Sequence, residues 1–263
     1  MIVTTRDNKN IFTEIINHRN DLPVVVLLNG LSQSTASWGF LTPLLKEKYT
    51  VVLMDFVFQG SSDKDGDWRD FDQHAEDVMS VLDAHGILKA SLIGLSYGSI
   101  VAQHCGVLFP ERVDKLVLLS TFAHKTPYYE AIELSWKRSL EIGGYGLLLD
   151  VMLPYVLSDH YFNNPIIPIE LLKSMRKDVV EAKALEKLMT ATLHMRDYRK
   201  ELNKIKASTL VVHGGKDMLF PVELGKSVSE HILESKFVVL PDAGHTLNLE
   251  DVPQVINLIK EFI

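Results

Sequence analysis

Short runs of consecutive apolar residues recur along the first half of the chain and return near its end. They occupy residues 24–28, 50–54, 90–93, 115–119, 209–212 and 236–240. Uninterrupted rather than alternating apolar character is typical of strands that are buried on both faces of a parallel sheet. Helix-length segments such as 71–85 and 99–108 lie between several of these runs. The pattern therefore predicts an α/β fold with a mostly parallel central sheet flanked by helices.

The stretch after the first of these runs allows two interpretations. Asn29-Gly30 between apolar segments is a strong signal for a β-hairpin. The residues that follow do not resume as a strand, because Trp38, Leu41 and Leu45 recur at helical spacing. We therefore expect Asn29-Gly30 to end a strand and lead into a loop. Three hydroxyl residues in this loop are candidates for capping the N–H groups at the start of a helix: Ser34, Thr35 and Ser37.

The strand pattern is interrupted once, between residues 122 and 206. Segments with helical character fill this region and are separated by several prolines. We predict a helical insertion at 122–206 within a core that is formed by residues 1–121 and 207–263. Residues 2–16 are expected to form an antiparallel entry hairpin.

Composition and charge exclude several classes of protein. The chain has 263 residues, of which 46% are hydrophobic and 23% charged, so a sizeable core is available and disorder is not expected. The formal net charge of -7 disfavours nucleic acid as a partner, since phosphate binding needs a basic surface. Cys105 is the single cysteine, which excludes an intrachain disulfide. No signal-like leader and no bilayer-length apolar run are present, so we expect a cytoplasmic protein without membrane insertion.

Motifs for metals and nucleotides are absent from the sequence. It contains no His-Glu-x-x-His or Cys-x-x-Cys spacing and no glycine-rich phosphate loop after a strand. We therefore expect no metal and no cofactor. The sequence leaves the oligomeric state open.

One pentapeptide carries the signature of a nucleophile. Gly94-Leu95-Ser96-Tyr97-Gly98 lies between an apolar run and a helical segment. The G-x-S-x-G pattern in this context places the serine on a sharp strand-to-helix turn that exposes its hydroxyl group. Because the turn brings backbone segments close together, the positions two before and two after the serine need glycine. Ser96 is therefore the candidate nucleophile.

A serine nucleophile needs a base, and the base needs a group that orients it. His245 follows the last apolar run directly, in a position where loops meet ligands at the carboxyl edge of such a sheet. Asp217 follows another strand, and Ser96, Asp217 and His245 have the chain order of an α/β-hydrolase triad. Glu223 is a rival for the acid, whereas Asp242 beside a proline is typical of a turn.

With these residues in place, the chain resembles the α/β-hydrolase superfamily from about residue 11 to residue 263. The motifs that carry the resemblance are LLNGLSQS, DFVFQGSSD, GLSYGS, GGKDMLFP and AGHTLNLE. The resemblance implies that the insertion is a helical cap over the serine. It also implies that the backbone N–H groups of Leu31 and Tyr97 form an oxyanion hole.

Two positions depart from the common family pattern. Asn29 stands where the family usually has histidine, and Phe58 replaces the first glycine of the second motif. With asparagine in the first motif and phenylalanine in the second, the sequence resembles the acyltransferase that builds the lipid part of rhamnolipids. Asn29, Ser32 and Phe58 are therefore candidate pocket residues.

The function that these features favour is serine hydrolysis of a small-molecule carboxylic ester or related acyl compound through an acyl-enzyme. The same triad also fits an acyltransferase that uses acyl thioesters. A carbon–carbon bond hydrolase and a non-catalytic ligand receptor on this fold are further alternatives.

Overall fold

The computed structural model describes residues 1–19, 21–177 and 180–263, so positions 178–179 of the predicted insertion lie outside the described residues. Its strands are β1 (Ile2–Thr4), β2 (Asn10–Ile16), β3 (Val24–Leu28), β4 (Thr50–Met54), β5 (Ala90–Leu95), β6 (Val113–Leu119), β7 (Ser208–Gly214) and β8 (Ser235–Leu240). Its helices are α1 (Thr42–Leu45), α2 (Phe71–Ala84), α3 (Tyr97–Leu108), α4 (Pro127–Val156), α5 (Asp159–Asn163), α6 (Ile169–Lys177), α7 (Ala182–Leu193), α8 (Val222–His231), α9 (Leu247–Glu250) and α10 (Val252–Phe262). Two 3₁₀ turns occupy Thr35–Trp38 and Arg199–Lys204.

The strands form one sheet in the order β1-β2-β4-β3-β5-β6-β7-β8. Strands β1 and β2 pair as an antiparallel hairpin, and β2 is also antiparallel to β4. Every remaining pair is parallel. The predicted α/β fold with a mostly parallel sheet is confirmed, as is the entry hairpin. The carboxyl ends of β3, β5, β7 and β8 therefore share one edge of the sheet.

The central strands are buried on both faces, which explains why their sequences are continuously apolar. All residues of β4 and β5 are buried. Leu92 packs in the apolar layer beneath α2 and α3, whereas Ile93 packs in the opposite layer with residues of α1 and α10. Since successive side chains of a strand point to opposite faces, both must be apolar when helices cover both sides.

The predicted insertion lies between the end of β6 and the start of β7, and its described residues contain α4–α7 and no strand. Helix α4 begins at a side-chain cap, because the Thr126 hydroxyl accepts from the Tyr129 N–H. It bends at Gly144, where φ is 65°. Trp136 of α4 and Leu188 of α7 belong to the same apolar layer as Leu92, so these helices pack directly on the core.

The segment after β3 forms the predicted loop, but the helical structure that follows differs from the expectation. β3 ends at Leu28 and pairs in parallel with β4 and β5, so Asn29-Gly30 leads into a loop as predicted. The expected continuous helix is instead a 3₁₀ turn followed by the short α1. Ser34 precedes the 3₁₀ turn but makes no capping hydrogen bond. The Thr35 N–H donates instead to the Asp55 carboxylate at 2.8 Å, which replaces the expected cap.

The position of Leu92 in the middle of the sheet gives a prediction about stability. Leu92→Ala leaves a cavity beneath α2 and α3, so we expect the free energy of unfolding to fall by about 2–5 kcal/mol. Leu88→Ala is the matched control, because Leu88 is 83% exposed, and we expect a change within about 0.5 kcal/mol. Urea denaturation measures both values. Equal losses in the two variants would contradict this account of the core.

Candidate active site

Ser96 lies on the turn that joins β5 to α3. Its φ of 52° and ψ of -114° are unusual for a residue with a side chain, and its neighbours leave little room. A Cβ at Gly94 would lie 2.3 Å from the Gly98 carbonyl oxygen, and one at Gly98 would lie 2.2 Å from the Leu28 carbonyl oxygen. Only glycine permits this close approach, as the sequence pattern predicts. The first N–H groups of α3 beside Ser96 have no partner within the helix.

His245 and Asp217 meet at the same edge of the sheet. His245 follows β8, Asp217 follows β7, and the Nδ1 atom of His245 lies 2.8 Å from Oδ2 of Asp217. The other carboxylate oxygen accepts the backbone N–H groups of Leu219 and Phe220. Because a carboxylate can only accept, His245 carries its proton on Nδ1 and keeps Nε2 available as a base. Glu223, the rival acid, is the second residue of α8, and its side chain is exposed.

A second histidine supports the turn that carries Asp217. His213 is fully buried, and its Nε2 atom lies 2.9 Å from the Phe220 carbonyl oxygen and 3.5 Å from Oδ2 of Asp217. It therefore donates from Nε2 and fixes the turn between Asp217 and Phe220. Burial lowers the pKa of the His213 imidazole below its ordinary value. No local sequence pattern selects His213, since its role depends on the fold of a turn four residues away.

A narrow cavity of about 60 Å³ joins the predicted catalytic residues. Ser96, Tyr97, His245, Leu31 and Ser32 all contribute to its walls. The remaining walls are mostly apolar and aromatic, and they come from the core and from the insertion: Phe122, Tyr129, Trp136, Met152, Val156, Leu219 and Phe220. The structure thus brings the predicted nucleophile, base and oxyanion residues to the walls of one cavity. Asp217 lies behind His245.

Asn29 does not have the pocket position that the sequence predicts. It is fully buried, and its side-chain NH₂ group donates to the Met54 carbonyl oxygen at 2.9 Å. Its amide oxygen accepts from the Trp38 indole at 2.8 Å. These contacts turn the side chain into the protein and satisfy it there, so it supports the loop rather than facing a ligand.

Gln59 completes this support and was missed by sequence reasoning. Its side-chain oxygen accepts from Asn29, while its NH₂ group donates to the carbonyl oxygens of Gly30 and Leu31. Both hydrogen bonds fix the loop that carries the Leu31 N–H. The signal in the sequence was weak: Gln59 is a polar residue between Phe58 and Gly60.

Phe58 and Ser32, two of the candidate pocket residues, both line cavities. Phe58 has a φ of 79°, and its ring forms part of a wider cavity beside the narrow one. The Nζ atom of Lys187 lies 4.9 Å from the centre of this ring, within range of a cation–π contact. Ser32 lines both cavities. Phe58 therefore occupies a pocket wall where the common family pattern has glycine.

The side chain of Tyr97 lies among aromatic rings below the turn. It packs against Phe56, Phe71 and His74 with ring centroids 4.9–5.9 Å apart. Burial raises the pKa of its hydroxyl group well above the ordinary value. The Tyr97 ring thus packs the start of α3 against the core.

The described residues contain neither a candidate metal cluster nor a membrane-spanning helix. Residues 1–19, 21–177 and 180–263 hold no group of three or more His, Cys, Asp or Glu residues that could bind a metal ion. None of the helices in this described part of the chain is long and apolar enough to cross a membrane.

The buried His213 gives a prediction about pH. Because the pKa of His213 is lower in the folded chain than in the unfolded chain, the unfolded chain takes up a proton first as the pH falls below about 6.5. We therefore expect the free energy of unfolding to decrease between pH 7.5 and pH 5. His213→Gln keeps a side-chain NH₂ donor and should make this decrease shallower. The exposed His160 provides the control His160→Gln, and an unchanged slope in His213→Gln would refute the assignment.

The chain matches known proteins over most of its length. Residues 23–140 match the sequence profile of the alpha/beta hydrolase fold. The chain is 28% identical over 273 residues to the AB hydrolase superfamily protein YisY of Bacillus subtilis, covering 99% of this chain and 97% of that protein. It is 24% identical over 239 residues to 2-hydroxymuconate semialdehyde hydrolase of a Pseudomonas species, covering 87% and 81%.

Solved structures show the same architecture. The enol-lactonase from Burkholderia xenovorans LB400 superposes with a TM-score of 0.90 at 21% identity, covering 100% of this chain and 99% of that chain. The superposition shows that the two chains share their overall fold. These matches and the strand order agree that the chain has the alpha/beta hydrolase fold.

Proposed function

We propose that this α/β hydrolase cleaves a small-molecule carboxylic ester through a covalent acyl-enzyme. The observation that carries the proposal is the meeting of Ser96 and the His245–Asp217 pair at one cavity. The strained turn exposes the Ser96 hydroxyl, and the carboxylate of Asp217 orients the His245 ring. These are the groups that nucleophilic acyl transfer requires.

In the first half of the proposed reaction, the Ser96 oxygen bonds to the ester carbonyl carbon while its proton passes to Nε2 of His245. The bond between the carbonyl carbon and the alcohol oxygen then breaks, and His245 returns the proton to the leaving alcohol. In the second half, a water molecule gives a proton to His245 and attacks the acyl-enzyme. The acid is released and Ser96 regains its proton.

Negative charge on the carbonyl oxygen is stabilised, in this proposal, by the N–H groups of Leu31 and Tyr97. Tyr97 supports the assignment because it begins α3, where N–H groups are free and the helix dipole is positive. Leu31 supports it because Gln59 fixes the loop through two carbonyl oxygens. Rigid donors are effective because they need no reorganisation during the reaction.

Hydrolysis of a carbon–carbon bond is a second candidate, since the chain is similar to 2-hydroxymuconate semialdehyde hydrolase. Acyl transfer from a thioester to an alcohol, as in the rhamnolipid-precursor acyltransferase, uses the same residues. Product analysis by mass spectrometry separates these reactions from ester hydrolysis. An acid and an alcohol are expected from an ester, and a new ester from a thioester plus an alcohol would favour acyl transfer.

Covalent labelling tests the nucleophile. A fluorophosphonate probe reacts with an activated serine, so we expect the wild type to be labelled and Ser96→Ala to remain unlabelled. Ser61→Ala is the control, because Ser61 is an exposed serine outside the cavity walls that contain Ser96. Labelling of Ser96→Ala at the wild-type rate would exclude Ser96 as the nucleophile.

Substitution of the acid tests the base–acid pair. Asp217→Asn keeps the shape of the side chain but disturbs the His245 tautomer, so we expect kcat for ester hydrolysis to fall by about 10⁴. Glu223→Gln, the exposed rival, should leave kcat within about twofold. Steady-state kinetics at pH 7.5 measures both, and a larger loss in Glu223→Gln than in Asp217→Asn would assign the acid to Glu223.

A further inference from the structure

A second and wider cavity, of about 370 Å³, adjoins the narrow cavity that contains Ser96. Residues of the loop after β3 and of the turn after His245 line both spaces: Leu31, Ser32, Gln33 and Thr246. An ester whose carbonyl group lies at Ser96 can therefore extend one of its two groups into the wider cavity. The other group has only the narrow cavity.

The walls of the wider cavity are mostly apolar and come from two parts of the chain. Phe58 and Leu249 belong to the core, whereas Leu172, Leu185 and Leu188 belong to the insertion. Leu185 and Leu188 are almost completely buried and carry no polar group. Apolar walls of this kind gain free energy when they bury hydrocarbon, at a rate that depends on the area removed from water.

The lining of the wider cavity disfavours an anionic ligand. Glu181 is the one charged side chain among the described residues that line it, and it is exposed. A carboxylate on the ligand would lose its hydration among the apolar walls, and no lysine or arginine among these described lining residues pairs with it, which makes its burial costly. Phe40 and Met175 also line the cavity and are 43% and 57% exposed, so apolar side chains form part of the opening toward solvent.

The volumes of the two cavities give the size of the two ester groups. A water-sized group occupies about 30 Å³, so the wider cavity of about 370 Å³ accommodates a chain of at most about twelve carbons. By the same measure the narrow cavity accommodates about two such groups. Its aromatic walls include Phe122, Trp136 and Phe220, all of which are buried.

We propose that the substrate is an asymmetric ester with one long, unbranched, uncharged hydrocarbon chain and one short group. The long chain lies in the wider cavity, and the short group lies in the narrow cavity with Ser96 and His245. This inference rests on the proposed ester hydrolysis and adds the substrate class to it.

Two series of esters test the proposal. One series contains methyl esters of straight-chain acids from two to sixteen carbons, and the other contains acetates of the corresponding alcohols. Proton release in a pH-stat gives kcat/KM. In one series we expect kcat/KM to rise by up to about fourfold per methylene, with no further rise beyond about twelve carbons. The series that rises shows whether the chain belongs to the acid or to the alcohol.

A charged analogue tests the electrostatic part. If the acid series rises, the monomethyl ester of octanedioic acid is compared with methyl octanoate; if the alcohol series rises, an acetate with a terminal carboxylate is compared with octyl acetate. We expect kcat/KM to be at least tenfold lower for the charged member. Equal values for the two compounds would overturn the claim that the cavity selects uncharged chains.

Substitutions that fill the wider cavity test whether the hydrocarbon chain of the substrate lies there. Leu188→Trp fills it from the insertion, and Ala36→Trp fills it from the exposed loop of the core, so the second variant serves if the first does not fold. In each, we expect the ratio of kcat/KM for the eight-carbon ester to that for methyl acetate to fall at least tenfold. Leu233→Trp, at a position that is 84% exposed and outside both cavities, is the control and should leave the ratio unchanged.

The outcomes separate this inference from the function on which it rests. Hydrolysis of short esters with no dependence on chain length overturns the long-chain proposal and leaves ester hydrolysis intact. A rise with chain length that neither tryptophan variant alters overturns the assignment of the chain to the wider cavity. No turnover of any ester, together with no fluorophosphonate labelling, overturns both the proposed function and the inference.

Discussion

The close contact between the turn at Ser96 and the neighbouring strand β3 is the constraint on which the site depends. Gly98 lies so near the Leu28 carbonyl oxygen that no side chain fits between them. Because β3 and β5 are neighbours in the sheet, this contact also brings the start of α3 beside the loop that carries Leu31. A single backbone approach therefore sets the position of the nucleophile and of both proposed oxyanion donors.

The acid and the base both lie at the same edge of the sheet, but hydrogen bonds in the loops set the orientations of their side chains. Asp217 accepts two backbone N–H groups on one oxygen and the His245 ring on the other. His213 fixes the turn from below through the Phe220 carbonyl oxygen. A buried carboxylate with this many donors keeps one orientation, and so does the imidazole that it holds.

The loop after β3 shows how a polar residue near an active site can serve structure alone. Asn29 and Gln59 satisfy each other and three backbone carbonyl oxygens inside the protein. Because these polar groups are hydrogen-bonded to one another and to the backbone, they leave the walls of the adjoining cavities mostly apolar. The insertion then covers these cavities with leucine and aromatic side chains, which favours a hydrocarbon group as ligand over a polar one.

The sequence by itself determined the strands, since residues buried on both faces must be apolar, and it determined the turn at Ser96, since only glycine fits at positions 94 and 98. It also identified Asp217 and His245, because each follows a strand at the sheet edge where ligands bind. Only the folded chain shows that Asn29 faces inward, that Gln59 and His213 support the loops, and that the narrow cavity at Ser96 adjoins a wider one. These features depend on distances between segments that are far apart in the chain. Local patterns of polarity do not contain information about such distances.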